Sequence, residues 1–203
     1  MIKLVIFDLD GVLVDACEWH RVALNQALQE ICNYEIPLEE HNSTFNGLPT
    51  KEKLKILTKQ KLVKRKDYEA ISQRKQEITL ELIQKKAKRS KKKIDMIKAL
   101  KKQGIHVACF TNSIRETAEL MLKKTGVLDL LEELVTNEDV KKPKPNPEGY
   151  LKVIRKFKVP KENVVIVEDS PKGFAAATAA GCRVFPVANA EGVDIGLFSE
   201  WVK

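Results

Sequence analysis

Four short apolar runs punctuate the chain, at Ile2–Phe7, Ile105–Phe110, Leu134–Thr136 and Val164–Val167. Each is mostly apolar without strict alternation, as expected of a strand buried on both faces. A helix signal follows each run. Ser113-Ile-Arg-Glu116 has capping-box spacing and opens a helix that closes near Gly126. Asn146-Pro147 and Ser170-Pro171 each place a capping residue before a first-turn proline, and Gly181 ends the last of these helices. Strand and helix in alternation predict the α/β class, with a Rossmann-like parallel sheet covered by helices on both faces.

The interval between the first and second runs carries no strand signal. Trp19, Val22, Ala23, Ala27 and Ile31 recur at helical spacing, and so do Tyr68, Ile71, Ile78 and Leu82. Residues 17–88 therefore read as a small helical insert, a cap, on a core formed by residues 1–16 and 89–203. The hinges fall at Asp15–Ala16 and Arg89–Lys93.

Charge sharpens this division. Residues 51–102 hold 20 basic and 6 acidic side chains, and the remainder 16 and 22. A polyanion would be drawn to that segment, yet it is mostly lysine and has one aromatic, Tyr68, where single-strand binding needs stacking platforms. A solvated helical face is the expectation, with no nucleic-acid partner. No apolar run approaches the roughly 20 residues that span a bilayer. The opening MIKLVIFDLD reaches acids too early for a signal peptide, so no membrane and a cytoplasmic location are expected. Cys17, Cys32, Cys109 and Cys182 show no paired spacing and read as reduced thiols.

The chemistry gathers where the strands end. Asp8 and Asp10 follow the first run, and Thr111, Asn112 and Ser113 follow the second. Lys142, before a proline, comes shortly after the third, and Glu168, Asp169 and Ser170 follow the fourth. In a parallel sheet these groups converge on one edge. Four carboxylates raise one another's pKa and need neutralising by a cation. All-oxygen ligation favours Mg²⁺. Asp8 then suits a carboxylate nucleophile that forms an aspartyl-phosphate, and Asp10, two residues on and on the same side, suits the acid that protonates the leaving oxygen. Thr111, with Asn112 beside it, and the N–H groups at the Ser113 helix start suit phosphate oxygens. Lys142 balances charge on the transferring group.

The motifs DLDGVLVD, FTNS, KPKPNPEGY and VEDSPKGFAAATAAG resemble, in order, the four motifs of the haloacid dehalogenase superfamily of phosphotransferases, over essentially the whole chain. The resemblance implies Asp8 as nucleophile and Asp10 as acid/base, with the Asp10 backbone carbonyl also on Mg²⁺. It implies Thr111 and Lys142 on the phosphoryl group, and Asp169 on the metal with Glu168 beside it or acting through water. Lys144 falls at a variable position. The insert resembles the helical cap of the β-phosphoglucomutase-like branch, which implies substrate-facing roles for His20, Lys75 and Gly47.

Three departures bear on the reaction. The arginine that holds a second phosphate in the mutases is replaced by Thr50, with Lys51 next to it as a point charge. Ala16 stands where threonine is usual, and Lys92-Lys93 replaces a proline-glycine. The stretch after Gly181 is short, predicting a trimmed sheet edge. The expectation is a Mg²⁺-dependent phosphatase, acting as a monomer on a small phosphorylated metabolite such as a sugar phosphate, with cap closure controlling water. A sugar-phosphate mutase and a binding module with a basic cap are the alternatives.

Overall fold

The computed structural model describes residues 1–199. Its sheet has five parallel strands, β1 (Leu4–Phe7), β2 (His106–Phe110), β3 (Glu133–Val135), β4 (Val164–Glu168) and β5 (Arg183–Pro186), in the order β3-β2-β1-β4-β5. Phe7 pairs with Cys109 on one side and Val167 on the other, so β1 runs down the middle. The strand order reverses beside β1, which makes the carboxyl end of that strand the natural ligand crevice of such a sheet. β5 corrects the expectation of a trimmed edge. Its four residues are exposed or only half-buried, so it lacks the apolar run that marks the central strands.

Seven helices accompany the strands among the described residues: α1 (Cys17–Cys32), α2 (Thr50–Lys59), α3 (Tyr68–Lys86), α4 (Lys91–Lys102), α5 (Arg115–Thr125), α6 (Glu148–Phe157) and α7 (Pro171–Ala180). A single turn, Leu38–Glu40, and a short π-helical segment, His41–Phe45, precede α2. None of the described helices is long and apolar enough to cross a membrane.

The chain divides into two compact units, residues 1–15 with 87–199 and residues 16–86. In the first, Leu4, Ile6, Ala108, Phe110, Tyr150 and Ile166 pack one face of the sheet against α6 and α7. The second is wholly helical. It is closed by Ala23, Leu24, Leu28, Phe45, Leu54, Leu57 and Ile71 from α1, the π segment, α2 and α3. Lys91–Lys93, expected at a hinge, is instead the first turn of α4, where the Ser90 hydroxyl accepts from the Lys93 N–H.

Of two helix starts with a clear capping signal, one follows it and one departs from it. Ser170 caps α7 as its pattern demands, accepting from the Gly173 N–H at 3.1 Å. The expected capping box at Ser113 does not form. α5 begins at Arg115, and the Ser113 hydroxyl donates to Asp10 Oδ2 at 2.9 Å. That cap has been diverted into the site.

Candidate active site

Asp8 is the first residue beyond β1, and its backbone N–H donates to the Val167 carbonyl at 3.0 Å, so the sheet ladder itself aims it. Its side chain is nearly buried. Lys144 Nζ reaches Asp8 Oδ1 at 2.7 Å and Glu168 Oε1 at 2.6 Å. This lysine is also buried, and its ammonium lies 4.8 Å from the Phe110 ring centroid and 5.0 Å from that of Tyr150. The lysine beside Asp8 is therefore Lys144 and not Lys142. Lys142 is exposed, and its backbone N–H donates to Glu148.

The segment 142–145 contains two Lys-Pro steps two residues apart, both in the same alternation, so local pattern alone does not separate them. Tertiary contacts do. The Asn112 side chain accepts from the Lys144 N–H at 3.0 Å and donates to its carbonyl at 3.2 Å. Asn112, expected at phosphate, spends these bonds holding the Lys144 backbone, at a cis Lys144-Pro145 peptide.

Glu168 is fully buried. Its Oε1 accepts from Lys144 and from the Tyr150 hydroxyl, while Oε2 accepts from the Asp169 N–H, the Ser170 N–H and the Ser170 hydroxyl. A Cβ on Gly173 would lie 1.9 Å from the Glu168 carboxyl carbon, so glycine is required there. With both oxygens so occupied, Glu168 fits an anchor for Lys144 better than a ligand in its own right. Tyr150 had no place among the residues expected at the site, and Ser113 was expected there as a helix start, not as a hydroxyl partner of Asp10. Both belong to motifs read in the sequence, and only three-dimensional packing shows where they point.

Asp10 lies in the tight turn Leu9–Val14, where Gly11 has φ +81° and donates to the Val14 carbonyl at 2.7 Å. Besides Ser113, the Thr111 hydroxyl donates to Asp10 Oδ2 at 3.4 Å. Thr111 is buried, and its hydroxyl oxygen accepts from the Ser113 N–H.

One carboxylate oxygen from each of Asp8, Glu168 and Asp169 falls within a 4.8 Å cluster. Burial pushes the Asp8 carboxyl well above the ordinary aspartate range. Lys144 opposes that rise, while Glu168, Asp169 and Asp10 add to it. Burial followed by the charges of Glu168 and Asp10 lifts Asp169 to about 7. Burial works against the Lys144 ammonium, but Asp8 and Glu168 outweigh it and hold the charge on. The donor set is all oxygen and carries more negative charge than Lys144 neutralises, which fits a hard divalent cation.

In the helical unit, Lys75 Nζ meets His20 Nδ1 at 3.2 Å, linking α3 to α1. Gly47 has φ +74°, a left-handed turn that accounts for the glycine by itself. Lys51 is exposed in the first turn of α2, whereas Lys53 is buried.

This arrangement has clear relatives. The haloacid dehalogenase-like hydrolase family pattern matches residues 5–187. A phosphoglycolate phosphatase of Nitrosospira multiformis is 29% identical over 96% of this chain and 87% of its own. A phosphorylated carbohydrates phosphatase of Thermotoga maritima is 29% identical over 90% and 84%. The structure of β-phosphoglucomutase from Clostridium difficile superposes with a TM-score of 0.83 at 19% identity, covering 98% of this chain and 96% of that one. The parallel sheet, the inserted helical unit and the family match lead to one conclusion: the chain belongs to the haloacid dehalogenase-like hydrolases and is an enzyme of that class.

Proposed function

We propose that the protein is a Mg²⁺-dependent phosphatase of small phosphorylated metabolites, with a sugar phosphate as the substrate class, working through an aspartyl-phosphate on Asp8. The observation that carries this reading is the buried contact of Lys144 with Asp8 at the carboxyl end of the central strand. The named activities of the phosphoglycolate and carbohydrate phosphatases support the substrate class. Asp8, Asp169 and the Asp10 carbonyl would hold Mg²⁺, which supplies charge neutralisation at the phosphoryl oxygens.

With Oδ1 engaged by Lys144, attack falls to Asp8 Oδ2. The new P–O bond to Asp8 forms as the ester P–O bond breaks, and protonated Asp10 gives its proton to the leaving oxygen. Asp10, now ionised, takes a proton from water as that water attacks phosphorus. The Asp8 Oδ2–phosphorus bond breaks as the water–phosphorus bond forms, free phosphate leaves, and both aspartates return to their starting states. Ser113 and Thr111 hold the Asp10 carboxyl through this exchange. Lys144 keeps its charge throughout and faces the transferring group.

³¹P NMR with Mg²⁺ and a panel of sugar phosphates, with and without a bisphosphate primer, tests the reading. Free phosphate is expected from one substrate class without primer, and none from Asp8→Asn. A positional isomer without phosphate release would instead establish a mutase.

A further inference from the structure

Lys93, in the first turn of α4, is only 4% exposed. Its ammonium donates to the carbonyls of Ala190 and Val193, each at 2.5 Å. Beside it, Lys92 donates to the Glu191 carbonyl at 2.7 Å and pairs with Asp194 at 3.0 Å. Among the described residues no carboxylate lies within ion-pair distance of Lys93. Burying an ammonium against carbonyls alone is costly, and burial lowers its pKa to about 8. An apolar side chain would fill the space at less cost unless those carbonyls need holding.

The segment they belong to is short and irregular. Asn189 caps a turn at Ala190–Gly192 and Asp194 caps another at Ile195–Phe198, each a single 3-10 turn, and the second packs against α4. The segment turns Ala190, Val193 and Phe198 inward. The Phe198 ring is fully buried and meets Phe7 edge-on, with centroids 5.9 Å apart. Phe7 is the last residue of β1, and Asp8 follows it.

We propose that Lys93 is a positioning residue: its ammonium clamps the Ala190–Phe198 segment onto α4, and through Phe198 against Phe7 that clamp fixes the strand exit bearing Asp8. The link to turnover rests on the reading of Asp8 as nucleophile, while the clamp does not. Lys92 strengthens the same attachment from the exposed side.

The test combines amide hydrogen exchange with steady-state kinetics on the best substrate from the NMR panel. Lys93→Met raises exchange across residues 189–198 and at the Asp8 amide by about tenfold. It lowers kcat by about tenfold with KM unchanged, as expected when reacting groups lose alignment rather than affinity. Lys93→Arg restores both. Phe198→Leu leaves Ala190–Val193 protected, yet reproduces the faster exchange at Asp8 and the loss of kcat, so the proposal stays testable if Lys93→Met does not fold. Faster exchange confined to 189–198, with the Asp8 amide and kcat as in the wild type, overturns it. Should no phosphate ester be turned over, the phosphatase reading fails, and exchange at Asp8 still decides the clamp.

Discussion

Lys144 touches both Asp8 and Glu168, so its removal leaves two buried carboxylates facing each other without a cation. Lys142 touches neither side chain and is exposed. Lys144→Ala is therefore expected to lower kcat by about a thousandfold, the scale of losing a preorganised charge at a reacting group, while Lys142→Ala stays within about twofold of wild type. Steady-state rates on one phosphate ester check both. Equal losses would mean that the exposed lysine reaches the substrate. The pair also marks how far sequence reasoning carries at this scale. Asp8, Asp10 and Thr111 announce themselves by following apolar runs. The choice between two Lys-Pro lysines is made by Asn112, 32 residues away, and by the Phe110 and Tyr150 rings against which the Lys144 ammonium lies.

Elements were legible where one local signal dominated. The central strands are unbroken apolar runs, and Ser170-Pro171 and Gly181 bracket α7 as their chemistry requires. Signals failed where a residue had a second use. Ser113 has capping-box spacing, but its hydroxyl serves Asp10, so α5 starts later and without a side-chain cap. β5 was missed because an edge strand with half-exposed residues has no apolar run to show. At α7 the fit between helix and site is tight, since a Cβ on Gly173 would collide with the Glu168 carboxyl group. Gly173→Ala should destabilise the protein by about 2 kcal/mol, the usual range for overpacking, and weaken turnover by displacing Glu168 from Lys144. Chemical denaturation and kcat measured on the same sample check the coupling. A stability loss with unchanged kcat would detach Glu168 from the alignment of Lys144.

At the level of the molecule, one sheet edge collects four acidic side chains that folding alone would not choose. Asp169 holds its proton up to about pH 7 in the folded chain, whereas an unfolded aspartate releases it near pH 4. Between those values the folded state binds the extra proton, so this group's contribution to stability falls as pH rises through the window. Asp169→Asn should therefore be more stable than wild type at pH 7 without metal and indistinguishable near pH 4. Mg²⁺ should raise the melting temperature of the wild type at pH 7 and leave that of the variant unchanged. Thermal melts at the two pH values, with and without Mg²⁺, decide it. A variant as responsive to Mg²⁺ as the wild type would remove Asp169 from the metal site.

The central claim is a covalent phosphoryl group on Asp8, and acid-quenched turnover followed by peptide mass spectrometry reads it directly. The peptide containing Asp8 is predicted to gain the mass of one phosphoryl group during turnover, to lose it when substrate is exhausted, and never to gain it in Asp8→Asn. Steady phosphate release with that peptide unmodified, or with the phosphoryl group on another residue, would contradict the account.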